Sequence, residues 1–293
     1  MVKAKAKIIL RLSKQKRLCS SVWLEHQNLD YMEYNLNGET LNLGVGGSNP
    51  SRAIFHFVVI KNLNISLLIN IVMDKIDLSI FDKKRKLKIP KKINEDLAEE
   101  VGIHVGDGSM NIYNKSYVYS LEGHIIDDRK YFLNHISPLF KRLYNLNIRL
   151  RERKSAGVFG FQVGSKGLIN FKSNLGLPLG SKEGIEIPRV ILNSNKKILA
   201  GFIRGLFDTD GGIYLEKKYK KFYPRIQLVN KSLNLMKQVK KILTEVFEFN
   251  LSSRIEDKYC RLIIRGDKNF KKWMKIIGTN NPKNVKKYKL YTQ

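Results

Sequence analysis

Two aspartates, Asp107 and Asp210, end two copies of one short motif that lie 103 positions apart. The copies span residues 97–108 and 200–211, and small residues recur at every fourth position before each aspartate. These small residues are Ala98, Gly102 and Gly106 in the first copy and Gly201, Gly205 and Thr209 in the second. Residues four apart share one face of a helix, so each copy forms a bare stripe that lets two backbones approach closely. We therefore predict two helices packed stripe against stripe, each ending at its carboxylate.

A carboxylate at the end of a helix is unfavourable, because it meets the negative end of the helix dipole. Two such carboxylates that face each other also repel. A divalent cation bound between them relieves both effects, and Mg²⁺ is commonly held by one or two carboxylates together with a substrate phosphate. A single Asp-Gly pair is most often a turn. The duplication instead favours a metal site, for Mg²⁺ or another divalent cation, formed by Asp107 and Asp210.

The chain is strongly basic, with 54 Lys and Arg against 26 Asp and Glu, a formal net charge of +28 and a pI near 10. Such an excess predicts a polyanionic partner, most simply nucleic acid. A membrane is not the expected partner, because no uncharged apolar stretch reaches the roughly 18 residues that a span needs. The cysteines, Cys19 and Cys260, form no framework, which predicts an intracellular, reducing compartment such as the cytoplasm or an organelle.

The repeat extends beyond the motif, since Gly164–Gly176 resembles Gly266–Gly278 at nearly the same spacing. The hydrophobic periodicity predicts the element order αββαββα in each copy, which is an α+β fold. We expect a first unit at residues 88–177, a linker at 178–194 and a second unit at 195–293. The second strand pair of the first unit is predicted at residues 147–153 and 157–163, and its closing helix is predicted to begin at Ser165. The closing helix of the second unit is predicted to begin at Asp267.

Residues 1–72 match neither unit and form a non-core extension. Residues 20–27 and 44–52 read like the translated D and TψC arms of a tRNA gene. The hypothesis is that an upstream tRNA gene is read in frame and that the true start lies near Met73. The alternative is a genuine basic tail, and the nucleotide sequence of the locus decides between the two.

The duplicated motif resembles that of the LAGLIDADG homing endonucleases, specifically the single-chain, two-motif type. The resemblance covers about residues 88–293 and is carried by the segments GIHVGDGSM, GLFDTDGGIY, KEGIEIP and IIGTNNPKNVKKY. It implies two pseudo-symmetric units whose motif helices pack at the centre while their sheets form a saddle over DNA. It also implies that Asp107 and Asp210 hold divalent metal at the scissile phosphates. One departure is that the first, non-catalytic acid of the motif is Val105 in the first copy and Asp208 in the second.

Members of this family often place a basic residue near the end of the fourth strand of each unit. By the resemblance, that position is Arg265 in the second unit and Val163 in the first, with Gln162 adjacent. We therefore expect Arg265 and Gln162 to be catalytic. The difference between the two units predicts unequal cleavage of the two DNA strands.

DNA contacts are expected from strand faces, because alternate residues of a strand point the same way. The predicted contacts are Asn111, Tyr113, Arg149, Arg151, Arg153, Arg225, Gln227, Arg254, Lys258 and Arg261, with Tyr117 and Tyr119 on the same strands. Arginine forks suit guanine edges and phosphates. Lys218 lies in a basic loop and is expected to bind phosphate, as are Lys283, Lys286, Lys287 and Lys289 near the end of the chain.

These observations predict a monomeric, site-specific endonuclease that hydrolyses both strands of double-stranded DNA with a divalent cation. The alternative is a maturase that binds intron RNA on the same scaffold. A DNA-binding regulator without cleavage is less favoured, because both motif acids are present. An intein is disfavoured, because the chain ends Tyr291-Thr292-Gln293 rather than in His-Asn.

Overall fold

A computed structural model describes residues 76–219 and 221–293, together with one short antiparallel strand pair, Lys7–Ile8 with Val22–Trp23. The chain divides into two parts, Met1–Val58 and Val59–Gln293. Apart from Val22–Trp23, the segments on which the hypothesis of a translated tRNA gene is based, 20–27 and 44–52, lie outside the described residues. Among the described residues, no helix is long and apolar enough to cross a membrane.

The first repeat begins with a short helix, α1 (Ile80–Lys84), and the first motif helix, α2 (Glu95–Asp107). Two strands follow, β1 (Gly108–Tyr113) and β2 (Ser116–His124). Helix α3 is the continuous run Arg129–Tyr131, the π-helical Phe132–Ile136 and Ser137–Tyr144. The repeat closes with β3 (Arg151–Arg153), β4 (Val158–Gly164) and α4 (Lys166–Asn174).

The second repeat follows a short connecting helix, α5 (Arg189–Leu192). It consists of the second motif helix α6 (Lys196–Asp210), β5 (Gly211–Lys218) and β6 (Lys221–Asn230). Helix α7 is Leu233–Lys241 continued by the π-helical Ile242–Val246. The remaining elements are β7 (Leu251–Glu256), β8 (Tyr259–Arg265), α8 (Asp267–Ile276) and α9 (Pro282–Thr292).

The predicted order αββαββα is present twice, and the α+β fold is confirmed. Both sheets are antiparallel and have the same strand order, β1-β2-β4-β3 and β5-β6-β8-β7. In each sheet one face is buried by helices, as the buried Leu121 of β2 and Ile226 of β6 show. The opposite face carries the residues that alternate with these, and we call it the open face.

Several boundaries differ from those predicted. The strand expected at residues 147–153 is restricted to Arg151–Arg153. The closing helix of the second repeat is preceded by Gly266 at a positive φ of 91°, so Gly266 rather than Asp267 is its N-cap. Helix α9 was not expected, because this lysine-rich segment was interpreted as a phosphate-binding tail.

The first repeat also extends upstream of residue 88. The buried Asp82 of α1 accepts hydrogen bonds from the Ser165 hydroxyl at 2.7 Å and from the Gly167 amide at 3.0 Å. These contacts fix α1 to the start of α4, because a buried carboxylate is stable only where hydrogen bonds replace its water. Residues 76–87 therefore belong to the first repeat.

The motif helices α2 and α6 pack backbone to backbone along their small-residue stripes. A side chain on Gly205 would collide with the carbonyl oxygen of Glu99, and one on Gly102 would collide with that of Phe202. A Cβ atom on Gly201 would lie 2.8 Å from the Glu95 carbonyl oxygen. The predicted packing of the two stripes is therefore present, and only glycine fits at the closest points.

A fully buried ion pair lies in the core of the first repeat. The Lys172 ammonium donates to both carboxylate oxygens of Glu100 at 2.6 Å. The hydroxyls of Tyr144 and Tyr119 donate to the same carboxylate at 2.7 and 3.3 Å. Tyr119 is therefore a core residue, and its expected place on the DNA-binding face is wrong.

Helix α9 covers the exposed edge of strand β5. The Ile213 amide donates to the Asn284 side chain at 3.1 Å, and the Lys287 ammonium donates to the Ile213 carbonyl at 2.8 Å. Unpaired edge groups of this kind otherwise invite pairing with another strand. Lys287 is therefore part of the fold rather than a free tail cation.

Candidate active site and nucleic-acid interface

The two motif carboxylates converge where α2 and α6 end. Asp107 and Asp210 are the last residues of their helices, and both are partly exposed. A Cβ atom placed on Gly106 would lie 3.3 Å from Oδ1 of Asp210, so that carboxylate lies against the end of α2. The close approach of the stripes thus brings together two acids that are far apart in sequence.

The environment of these acids opposes their ionisation. Burial, and next the negative charge of Asp210, raise the pKa of Asp107 to about 7. Burial also raises the pKa of Asp210, against a hydrogen bond of 2.6 Å from the Asn230 side-chain amide. Two partly desolvated carboxylates that repel each other are a typical setting for a bound cation.

Lys182 acts electrostatically on both carboxylates. Its ammonium donates to main-chain carbonyls in the last turn of α2, at 3.0 Å to Val105 and also to Gly106. A cation is favourable there, because the helix dipole is negative at that end. Burial lowers the pKa of Lys182, while the charges of Asp210 and Asp107 oppose that change.

Lys283 approaches Asp107 from the second repeat. Its ammonium donates to Oδ1 of Asp128 at 2.8 Å, and its positive charge partly offsets the raised pKa of Asp107. The segment before it is held by Asp208, which accepts hydrogen bonds from the Thr279 hydroxyl and, at 2.7 Å, from the Asn280 amide. Asp208 is buried, and burial raises its pKa to about 7.

The two lysines occupy matching places in the repeats. The closing helices α4 and α8 are followed by glycines with positive φ, Gly176 at 96° and Gly278 at 71°. Lys182 comes six residues after the first glycine and Lys283 five residues after the second. Both segments contributed to the family resemblance, but neither lysine was expected beside the acids. The signal that would have found them is a lysine five or six residues after each of these glycines.

The residues expected to supply the basic groups lie elsewhere. Arg265 of β8 pairs with Arg225 of β6. Gly211, the residue after Asp210, pairs with Leu228, which lies three residues further along β6. Three residues of a strand span about 10 Å, so Arg265 is remote from Asp210. The register of the two sheets equates Arg265 with Gly164, which pairs with Val118, and not with Val163.

Gln162 lies nearer the centre than Arg265. It is exposed on the open face and pairs with Ser120, one residue from Leu121, which faces Gly108. Val163 pairs with Tyr119 and so shares the covered face. Gln162 and Val163, the adjacent candidates of the first unit, therefore lie on opposite faces of the sheet.

Exposed arginines follow the open faces of both sheets. Arg151 and Arg153 alternate along β3 and are exposed, and Arg149 precedes that strand, also exposed. Arg153 forms an ion pair with Glu122. In the second repeat, Arg254 and Arg261 are opposite each other and both contact Glu256, at 3.4 and 3.1 Å.

The other expected DNA contacts differ in exposure. Tyr113 is exposed and Asn111 is half-buried, while Lys258 lies exposed in the turn between β7 and β8. The Arg225 guanidinium lies 5.1 Å from the ring centre of Tyr214. Gln227 shares their open face but is only 7% exposed, so its expected outward exposure is wrong. Lys218 is exposed and pairs with Glu216 at 2.9 Å.

The donors at the centre suit a hard cation. Asp107 and Asp210 offer carboxylate oxygens, which Mg²⁺ and Ca²⁺ prefer, and no sulfur or imidazole ligand is among the contacts described. Within residues 76–219 and 221–293, no group of three or more His, Cys, Asp or Glu residues is placed to hold a metal. A cation here would therefore take its remaining ligands from water and a substrate phosphate, as Mg²⁺ commonly does.

Residues 197–278 match the profile of the LAGLIDADG-like domain. The chain is 26% identical over 201 residues to glutamine--fructose-6-phosphate aminotransferase of Methanocaldococcus jannaschii, which covers 66% of this chain and 17% of that protein. It is 25% identical over 167 residues to an uncharacterised protein of the same organism, covering 56% of this chain and 60% of that protein. The chain thus spans less than two thirds of the length of either relative. A structure of the homing endonuclease I-WcaI bound to its DNA recognition sequence is similar at 18% identity and a TM-score of 0.48, over 73% of this chain and 92% of that chain.

Proposed function

We propose that this chain is a site-specific endonuclease that cleaves both strands of duplex DNA, because residues 197–278 match a LAGLIDADG-like domain and the two motif acids converge with two lysines acting on them. The observation that carries the proposal is the pairing of Asp107 with Asp210 at the ends of two touching helices. Structural packing alone does not require two acids there, since they repel each other and oppose the helix dipoles.

The reaction would be metal-assisted hydrolysis of a phosphodiester. Asp107 and Asp210 would hold Mg²⁺ or another divalent cation, which supplies activated water and neutralises charge on the phosphate. Lys182 and Lys283 both act electrostatically on Asp107 and would stabilise the negative charge that develops on the phosphate oxygens. The catalytic roles expected of Arg265 and Gln162 remain predictions, and both residues lie on the open face, further from the acids than the motif helix ends.

DNA would lie along the open faces. The exposed arginines of β3, β7 and β8 present planar forks that can bind guanine edges and phosphates. The net charge of +28 supplies the sequence-independent part of binding. One chain carries two repeats with one acid each, so a monomer would suffice for two cuts.

The test incubates the full chain with Mg²⁺ and a supercoiled plasmid that carries its own locus without the coding insertion. We expect linear product, and we expect none after chelation of the metal. D107N and D210N should abolish cleavage while the dissociation constant for the same DNA changes little. K182M and K283M should each slow cleavage about 100-fold, the usual cost of removing one group that stabilises transition-state charge.

The matched control is E152Q, which removes a carboxylate that pairs with Arg129 away from the acids. Its cleavage rate should equal that of the parent chain. Intact DNA under all metal conditions, with D107N and the parent chain indistinguishable, would refute the proposal. If the protein instead promotes splicing of the transcript from its own locus, the maturase alternative is correct.

A further inference from the structure

Asp128 is a buried carboxylate whose contacts lie far away in the chain. It stands between β2 and α3 in the first repeat and is 8% exposed. Its Oδ2 accepts a hydrogen bond of 2.9 Å from the His124 amide. Its Oδ1 accepts from the Asn281 side chain at 3.0 Å and from Lys283 at 2.8 Å. Asp128 therefore joins the first repeat to the end of the second.

Asp128 occupies a position where an aspartate side chain normally caps its own helix. It is the N-cap residue of α3, where an aspartate usually accepts from an amide of its own helix. Here no side-chain capping bond forms. The carboxylate turns instead towards residues more than 150 positions away. The helix thus forgoes a local stabilising bond in favour of the contact with Lys283.

The segment that carries Lys283 is fixed by hydrogen bonds to Asp208 on its N-terminal side. Asp208 holds Thr279 and Asn280, and the Asn281 side chain also donates to the Asp208 carbonyl at 2.9 Å. The Asp128 carboxylate is also confined. A Cβ atom on Gly123 would lie 2.9 Å from Oδ2 of Asp128, so the carboxylate has little room to move. The Lys283 side chain is flexible by itself, and the ion pair with Asp128 selects one direction for it.

We propose that Asp128 is a positioning residue that holds the Lys283 ammonium beside Asp107, so that the second repeat completes the reaction centre of the first. Asp128 acts through Lys283 and does not contact the substrate. The inference rests on the proposed nuclease function for its kinetic test. The ion pair can also be tested without any cleavage.

The kinetic test compares D128N, D128E and the control E152Q in the full chain, with kcat and KM measured on the same duplex. D128N keeps an acceptor for Asn281 but loses the charge that holds Lys283. We expect kcat to fall about 10- to 100-fold, the scale on which misplaced groups slow catalysis, and KM to stay within about twofold. D128E keeps the charge and should recover part of kcat, while E152Q should match the parent chain.

A double-mutant cycle shows whether Asp128 acts through Lys283. If it does, D128N/K283M cleaves no more slowly than K283M alone. If the two losses multiply instead, Asp128 has a separate role and the inference fails. An unchanged kcat in D128N also overturns it.

The test without cleavage measures how fast an amine-acylating reagent modifies Lys283, by mass spectrometry and without DNA or metal. Loss of the ion pair frees the amine, so D128N should be acylated at Lys283 at least about threefold faster than E152Q. The exposed Lys286 should react equally in both and serves as the internal reference. If D128N unfolds, judged by its thermal midpoint, the same comparison is made with D128E, where Lys283 should stay as slow as in E152Q.

The two tests separate the possible failures. If the parent chain does not cleave DNA but D128N frees Lys283, the ion pair is real and only the nuclease proposal fails. If the parent chain cleaves but neither kcat nor Lys283 acylation responds to D128N, the positioning role is refuted alone. In the D128E comparison, fast acylation of Lys283 likewise refutes it.

Discussion

Asp107 reduces the stability of the folded chain at neutral pH. Its pKa is raised from 3.8 to about 7 by burial and by the charge of Asp210. The folded state therefore binds a proton more tightly than the unfolded state does. Sites that hold mutually repelling acids commonly sacrifice stability for function.

D107N should stabilise the metal-free protein, and the gain should depend on pH. Between pH 4 and pH 7 the folded parent chain retains a proton on Asp107 that the unfolded chain has lost, so its free energy of unfolding falls as pH rises through this range. The gain in D107N should therefore be near zero at pH 4 and largest above pH 7. One pKa unit corresponds to about 1.4 kcal/mol, so the gain is at most several kcal/mol.

The measurement is urea denaturation of D107N and the parent chain at pH 4, 6 and 8 with a metal chelator present. N230A is the comparison variant, because it removes the hydrogen bond from the Asn230 amide that favours the ionised form of Asp210. The folded protein should therefore be less stable at pH 8 in this variant. Equal unfolding free energies for D107N and the parent chain at every pH would contradict the raised pKa.

At the residue scale, the sequence predicted the acids but not their partners. Asp107 and Asp210 could be found because they end a duplicated pattern with a clear helical period. Lys182 and Lys283 could not be found in this way, because they lie in irregular segments whose path depends on tertiary contacts. Sequence spacing had equated Arg265 of the second unit with Val163 of the first. The strand register shows that the counterpart of Arg265 is Gly164.

At the element scale, the interface between α2 and α6 leaves no room for side chains at its closest points. The would-be Cβ of Gly205 meets a main-chain carbonyl, which cannot rotate away as a side chain could. Any substituent must therefore separate the two helices. Separation of the helices would also move Asp107 away from Asp210.

G205A should destabilise the protein by at least about 2 kcal/mol, in the range of overpacked cores, and should impair cleavage as well. The matched control is G212A, where the nearest atom to the added Cβ would be 3.5 Å away. Its unfolding free energy should stay within about 1 kcal/mol of the parent value. Urea denaturation checks both variants, and a G205A protein as stable as G212A would contradict the close packing.

The element order was predictable and some elements were not. Hydrophobic periodicity predicted α3 and α7, whose apolar stripes bury Leu139 and Leu235. Helix α9 escaped detection because its segment is rich in lysine. It is attached both by polar contacts, through Asn284 and Lys287 at the edge of β5, and by packing of Tyr288 and Tyr291 on Phe270. The strand before Arg151 was overestimated, because alternation of charge persists beyond the residues that pair.

At the scale of the whole molecule, the positive charge divides between two surfaces. The arginines of β3, β7 and β8 lie on the open faces of the sheets, while Arg142 of α3 and Lys237 of α7 are exposed on the helical side. Sequence composition predicted the total charge but not this division.

R151Q should relax base preference, because a good arginine–guanine contact is worth about 1–3 kcal/mol of discrimination. K218Q should weaken binding to all sequences alike and reduce the salt dependence of binding by about one unit of slope. K237Q, on the helical side, is the control and should change neither. Binding to target and scrambled duplexes at several salt concentrations separates these outcomes, and identical effects of R151Q and K218Q would contradict the assigned roles.

Lys283, from the second repeat, acts electrostatically on the acid of the first, and Lys182, from the segment that follows the first repeat, acts on the acid of the second. A shorter ancestor with one repeat per chain would therefore depend on another molecule for part of its chemistry. Under the proposed nuclease function, two single-repeat chains would have to associate before the acids and both lysines came together, so their activity would fall steeply on dilution. A chain that contains both repeats would not show that dependence on concentration.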